Sequence, residues 1–382
     1  MIDYRKGGAL MRTILLIALV AAGMALENRL DVVSSVYSRL VDSPSVARLE
    51  IDSDPNLERL AQSGRKLPDV EAVGGDWHRW QGMIRDAVYR YMGETDRLDQ
   101  PPGNPGRPQY RILESQQLAG GIERKLIAYA SFDGSEIPAY LHEPSNGKRL
   151  PAILVIPGHV GEGESGIQQT AGIEASYQHG AARKLAEAGY VTLTPELRGF
   201  GFLGKPFDTE HRIVAYNSLM EGKPYKWTIL RDLHYAMDLL RSHDLVDEER
   251  IGVTGASYGG ELSVYYAALD TRVKAVVFQA FGGTIGLRPP VKGDKTKQPH
   301  YCHILPGLDT QIRIEEWMWL LAPRPTLGIR GRADRVPDPG AEERYREGWR
   351  GQGLVRHFDF LTVDGGHEYF TGPAIEFFKE HL

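Results

Sequence analysis

The stretch that most constrains this chain is Glu249 to Gly260, ERIGVTGASYGG. Ile251 to Thr254 have the β-branched character of a strand, and ELSVYYAAL (Glu261 to Leu269) spaces apolar residues as a helix does. Between them lies Gly255-Ala256-Ser257-Tyr258-Gly259. A serine bracketed by glycines where a strand turns directly into a helix is held in strained backbone space, with its hydroxyl presented at the sheet's edge. Ser257 is therefore the candidate nucleophile. It would sit at a helix N-terminus, where backbone N–H groups favour developing negative charge. A G-x-S-x-G match can arise by chance in a chain with 43 glycines, and a serine before a helix is often only an N-cap. The strand before the motif and the helix after it are what give it weight.

The surrounding pattern says what kind of sheet this strand joins. KLIAYAS and EIPAYLHEP read as a hairpin closed by Phe132-Asp133-Gly134-Ser135. Strand and helix then alternate: PAILVIPG, HGAARKLAEAGY, VTLTPELRG, TILRDLHYAMDLLRSH, the serine turn, VKAVVFQAF, IEEWMWLL, PTLGIRG, AEERYREGWRG, HFDFLTV and AIEFFKEHL. Alternation of this kind predicts an α/β fold, a mostly parallel central sheet with helices on both faces. Ahead of it, LDVVSSVYSRLV and DWHRWQGMIRDAVYRYMG predict helices, the second capped by Asp76 and stopped at Gly93. Trp77 and Trp80 lie at helical spacing and are assigned to packing. The proline-rich QPPGNPGRP (residues 100–108) breaks the chain after them.

In such sheets the working residues gather in loops at the carboxyl ends of strands. Asp334 follows PTLGIRG and His367 follows HFDFLTV, so nucleophile, acid and histidine occur in that order. A serine hydroxyl needs a histidine to take its proton, and the histidine needs a carboxylate to fix its tautomer and stabilise its charged form. Asp338 is the alternative acid. The competing structural roles are a surface carboxylate paired with Arg332 or Arg335, and a solvated loop histidine. An oxyanion hole would take the backbone N–H of Tyr258 and that of His159, in Pro157-Gly158-His159-Val160-Gly161, with Val160 as the alternative.

Across roughly Glu123 to Leu382 the chain resembles α/β-hydrolases of the acetyl xylan esterase and dienelactone-hydrolase-like branch. The stretches that carry the resemblance are IPGHVG, TPELRGFG, ERIGVTGASYGGELSVYYAALDTRVKAVV, LAPRPTLGIRGRADRVP and DGGHEYF. It implies a serine esterase using Ser257, Asp334 and His367 with neither metal nor organic cofactor, acting on a small-molecule or carbohydrate ester, an acetyl ester by preference. Phe200 stands where the xylan and cephalosporin C deacetylases have glutamine, and Tyr258 replaces the glutamine after the nucleophile.

Other classes fit less well. A net charge of -5 and an isoelectric point near 6.2 argue against a nucleic-acid partner. Gly161-Glu162-Gly163-Glu164-Ser165-Gly166, with Glu196 ending the next strand, is a literal dinucleotide fingerprint, but Pro157 to Val160 separate it from its strand. Ser-Tyr-Gly-Gly also resembles prolyl-oligopeptidase-type peptidases, whose propeller cannot fit ahead of this domain. His300-Tyr301-Cys302-His303 is poorly spaced for zinc, and Cys302 is the only cysteine. Two long insertions, residues 200–227 and 282–311, follow strands and are expected to wall the substrate pocket. The basic run Arg288 to Lys297 is expected to be a solvated loop. Trp317 and Trp319 lie on the helix after the second insertion and are assigned to the core.

The N-terminus has the form of an export signal: Arg5, Lys6 and Arg12 precede an apolar run from Ile14 to Met24, and Gly23-Met24-Ala25 supplies small residues for cleavage. The run is too short to span a bilayer comfortably. The expected organisation is a signal peptide at 1–25, a helical segment with its proline-rich linker at 26–115 and a catalytic domain at 116–382. A secreted or periplasmic protein with no stable membrane span follows from that reading.

Overall fold

A nine-stranded sheet organises the molecule, in the order β1-β2-β3-β5-β4-β6-β7-β8-β9. The computed structural model describes residues 67–93, 97–98, 109–145, 149–161, 164–204, 211–282, 301–336 and 340–382. The expected signal peptide, the first predicted helix, the proline-rich segment, Glu162 and Gly163, the basic run at 288–297, His300 and Asp338 lie outside them. Residues Lys66–Leu382 form one unit.

The strands are β1 (Tyr110–Leu118), β2 (Ile122–Ala130), β3 (Glu136–Pro144), β4 (Leu150–Ile156), β5 (Val191–Pro195), β6 (Val246–Ala256), β7 (Ala275–Gln279), β8 (Thr326–Gly331) and β9 (Phe358–Val363). The first three form an antiparallel meander that joins β5, and every pairing from β5 through β9 is parallel. The β2–β3 turn is the expected one: Gly134 has φ 80° and the Asp133 carboxylate accepts from the Ser135 N–H. The helices are α1 (Trp77–Tyr91), α2 (Gly166–Thr170), α3 (Ala181–Glu187), α4 (Gly201–Gly204), α5 (His211–Met220), α6 (Tyr225–Ser242), α7 (Tyr258–Leu269), α8 (Ile314–Trp319), α9 (Ala341–Gly351) and α10 (Thr371–His381). None of the described helices is long and apolar enough to cross a membrane.

Strand β4 shows why the sheet is covered on both sides. Ala152, Leu154 and Ile156 join the core that includes residues of α6 and α7, whereas Ile153 and Val155 join the one that includes residues of α3 and α10. With both faces buried, its sequence is a continuous apolar run without alternation. Each such aliphatic side chain taken from water contributes about 1.5–3 kcal/mol. Helix α7, the nucleophile's own helix, is buried along its whole length, matching its nearly unbroken apolar sequence.

Two features depart from the sequence expectation. Strand β1, YRILESQQL, was not foreseen, and the expected boundary at residue 115 falls inside it. It is an edge strand exposed along almost its full length, so its side chains carry no buried alternation to read. Helix α1, expected in a separate helical segment, packs into the same unit as the sheet. Trp80 is fully buried in a cluster with Trp77 and Trp319, Gln81 donates to the Trp319 and Ala322 carbonyls, and Arg85 donates to Ala268 and Leu320. The cap is as expected: the Asp76 carboxylate accepts from the Arg79 N–H.

Candidate active site

Because β4, β6, β7, β8 and β9 run parallel, the loops after them open on one edge of the sheet. Ser257 sits there with φ 58° and ψ −122°, a conformation that costs a non-glycine residue about 1–3 kcal/mol. The surrounding glycines make room for this turn. A Cβ on Gly255 would lie 2.5 Å from the Gly259 carbonyl carbon and oxygen and from the Ile156 carbonyl oxygen, and one on Gly259 would lie 2.1 Å from that Ile156 oxygen. The Ser257 N–H donates to the Gln279 carbonyl at the end of β7, which ties the strained residue to the next strand.

Asp334 and His367 meet across the loops after β8 and β9. The imidazole Nδ1 lies 3.1 Å from Oδ1 and 3.0 Å from Oδ2 of the carboxylate. The Asp334 side chain is 1% exposed and that of His367 33%, so the pair has a buried end and an accessible one. Asp334 also accepts from the Val336 N–H, while Arg332 pairs instead with Asp364. The two loops are laced together by Arg332 N–H to the Val363 carbonyl and Ala333 N–H to the Gly365 carbonyl. Next to the histidine, Glu368 accepts from the Gly366 N–H and from His179 Nε2, and these contacts lower its pKa in that order.

Two residues that the sequence did not single out connect this pair to the serine. Gln279, which receives the Ser257 N–H on its backbone, uses its side chain to accept from the Phe370 N–H (2.7 Å) and to donate to the Phe370 carbonyl (3.3 Å). The Tyr177 hydroxyl donates to the His159 carbonyl (2.9 Å) and is pushed up in pKa by burial, which the nearby Ser257 side chain offsets in part, while the Tyr177 carbonyl accepts from the Tyr369 N–H (2.8 Å). The Tyr177 ring centroid lies 5.6 Å from that of His367. His367 is hydrogen-bonded to Asp334, and among the described residues no hydrogen bond joins it to Ser257. Without substrate the nucleophile–base contact is often open and tightens on binding. The rule of strand carboxyl ends could have found Gln279; Tyr177 lies in a loop without motif.

The oxyanion candidates flank the serine. Tyr258 opens α7, where first-turn N–H groups have no partner inside the helix. His159 lies on the loop after β4, which Gly158 N–H anchors to Gln178 Oε1 at 2.8 Å and Tyr177 anchors through the carbonyl of 159. Only glycine fits at 158, since a Cβ would fall 2.0 Å from the Tyr177 hydroxyl. The His159 ring stacks on Tyr258 (4.5 Å, 15°).

The remaining sequence candidates serve the scaffold. Glu196 is buried, its pKa pushed up to about 7 by that burial, and it accepts from Ser165 Oγ and the Gly166 N–H, so it is not presented to a ribose. Arg198 pairs with Asp133 and Asp232, joining the β2–β3 turn to α6. Phe200 stacks on His211 at 4.3 Å. Trp317 is buried against Tyr265, and Trp319 contacts Trp77 and Trp80.

Residues 137–316 match the profile described as the dienelactone hydrolase family. The chain carries a dienelactone hydrolase family domain. The match spans the hairpin's second strand, the oxyanion candidates and Ser257. A hydrolase named YtaP, from Bacillus subtilis, is 26% identical over 236 residues, 60% of this chain and 77% of that protein. Solved structures with the same fold include one described as an acetyl xylan esterase from Bacteroides fragilis, at TM-score 0.60, 19% identity and 75% coverage of each chain. A glucuronoyl esterase from Solibacter usitatus superposes at TM-score 0.54 and 18% identity, over 83% of this chain and 95% of that one.

Proposed function

We propose that this domain is a serine esterase cleaving short-acyl carboxylic esters through an acyl-enzyme, with acetylated carbohydrates as the preferred substrate class. The observation that carries the reading is the Asp334–His367 contact at Nδ1, made by a carboxylate that is 1% exposed, on the same sheet edge as the strained Ser257. Bonded there, the ring keeps its Nδ1 proton and offers Nε2 as the base. Ser257 gives its proton to His367 and attacks the ester carbonyl carbon. The N–H groups of Tyr258 and His159 receive the oxyanion, and His367 returns the proton to the departing alcohol. Water then repeats the sequence on the acyl-enzyme.

Family membership and esterase-like folds support ester hydrolysis as the reaction type. A sugar-sized alcohol is supported by a cavity of ≈ 620 Å³ lined by Glu174, Ser176, His179, Arg183 and Lys184 among others. Its wall residue His179 bonds Glu368, the neighbour of His367. Export through the N-terminal signal would suit an extracellular carbohydrate substrate. The decisive assay sets purified protein against nitrophenyl acetate, longer acyl esters, acetylated xylan and a peptide amide. Acetyl esters are expected to turn over fastest, and Ser257→Ala to lose at least ~1000-fold. Undiminished turnover by that variant would exclude the serine mechanism.

A further inference from the structure

Behind the oxyanion loop lies a group of side chains that the proposed reaction does not use. The ligand atoms of His159, Cys302 and His303 all lie within 4.8 Å of one another, with His159 Nε2 only 3.2 Å from Cys302 Sγ. Cys302 and His303 are buried, while His159 is half-buried. The adjacent positions of Cys302 and His303 in sequence argued against a zinc site, but the third donor comes from residue 159, on the far side of the fold's chain order. The Tyr301–His303 helical turn brings it within reach.

We propose that His159, Cys302 and His303 bind a divalent transition metal of the zinc class, with water as the fourth ligand, and that the metal pins the oxyanion loop to the 301–303 turn. One thiolate and two imidazoles select zinc, cobalt or copper over magnesium and calcium. Tetrahedral bonds of about 2.0–2.3 Å hold ligand atoms ~3.3–3.8 Å apart, so shifts of about 1 Å close the cage. The outer shell is already in place. Glu261 Oε2 lies 2.6 Å from His303 Nδ1, which fixes the ring and leaves Nε2 to coordinate, and Glu261 is itself held by Lys226 at 2.6 Å. The Tyr258 hydroxyl donates to the Cys302 carbonyl at 2.9 Å and steadies the cysteine's backbone. On binding, the thiol proton leaves to solvent as the metal–sulfur bond forms.

The chain's single cysteine makes the test unambiguous. Full-length protein without a polyhistidine tag is stripped with chelator and titrated with cobalt(II) under reducing, oxygen-free conditions. The expected result is an intense near-ultraviolet thiolate-to-cobalt band that saturates at one equivalent and is bleached by zinc(II). Cys302→Ser abolishes the band, and His159→Gln weakens apparent affinity by at least ~10-fold. A wild-type protein with no such band overturns the proposal, whether or not the serine variant folds. Cobalt affinity in His159→Gln equal to that of wild type overturns it as well. Both readouts are independent of esterase turnover, so failure of the esterase reading would leave this one standing.

Discussion

Replacing Gly259 by alanine tests whether the serine turn depends on close backbone approach. The added methyl would lie 2.1 Å from the Ile156 carbonyl oxygen and 2.9 Å from the carbonyl carbons of Ile156 and Pro157. An ordinary contact begins near 3.4 Å, so helix α7 or the end of β4 must retreat by about 1.3 Å. Rotation of a side chain cannot absorb this, because the three nearest atoms are all backbone. Ile156 is moreover paired with Gly255 in the β4–β6 ladder. Overpacking of this kind costs about 1–3 kcal/mol, a fall in Tm of roughly 2–5 °C for a unit of this size. The displaced segment leads directly to the His159 loop, and misplacing reacting groups by about 1 Å costs on the order of 100-fold in rate. The expected outcome is therefore a folded protein whose kcat for nitrophenyl acetate drops ~100-fold while KM changes little. Gly372→Ala is the control, since no atom lies within 4 Å of its added carbon, and it should match wild type in both measurements. A Gly259→Ala protein with unaltered kcat and Tm would falsify the reasoning.

Three further outcomes are expected. Asp334→Asn keeps an acceptor for the Val336 N–H but turns His367 to the wrong tautomer, so kcat should fall by about 10⁴-fold with Tm nearly unchanged; near-normal turnover would remove Asp334 from the mechanism. Gln279→Ala deprives the Phe370 N–H of its side-chain acceptor and loosens the histidine loop. It should lose about 1–3 kcal/mol in urea unfolding and more in kcat than in KM, and an effect on stability alone would make Gln279 purely structural. His142 is fully buried, with Nδ1 on Thr192, and burial first, then Arg124 and Arg183, push its pKa down to about 3. An unfolded histidine binds its proton near 6.5, so this side chain's contribution is complete above that pH and is lost as pH falls toward 3. Between pH 7.5 and 4.5 wild type should lose roughly 2–3 kcal/mol more than His142→Leu, and equal losses would show that His142 is not the cause.

The legible parts of this protein are those where local chemistry and burial agree. Asp133-Gly134 makes its turn, Asp76 caps α1, and the apolar run of β4 is buried on both faces as its composition requires. Strand β1 was unreadable because its ladder partner, not its own pattern of burial, makes it a strand. Helix α1 reads as a helix, but its partners are Trp319, Ala322, Ala268 and Leu320, more than 180 residues away, and no local pattern names them.

The amino-acid order alone determined the strand–turn–helix at Ser257, the succession of serine, aspartate and histidine at strand ends, and the alternation that builds a parallel sheet, because each rests on spacing within a few residues. Tertiary structure decided which partners those residues meet. It paired Asp334 with His367 and left Arg332 to Asp364, used Tyr177 and Gln279 to tie the loops around the serine and the histidine together, and gathered His159, Cys302 and His303. Such contacts join segments whose separation along the chain carries no periodic signal, so only the packed sheet brings them within hydrogen-bonding distance.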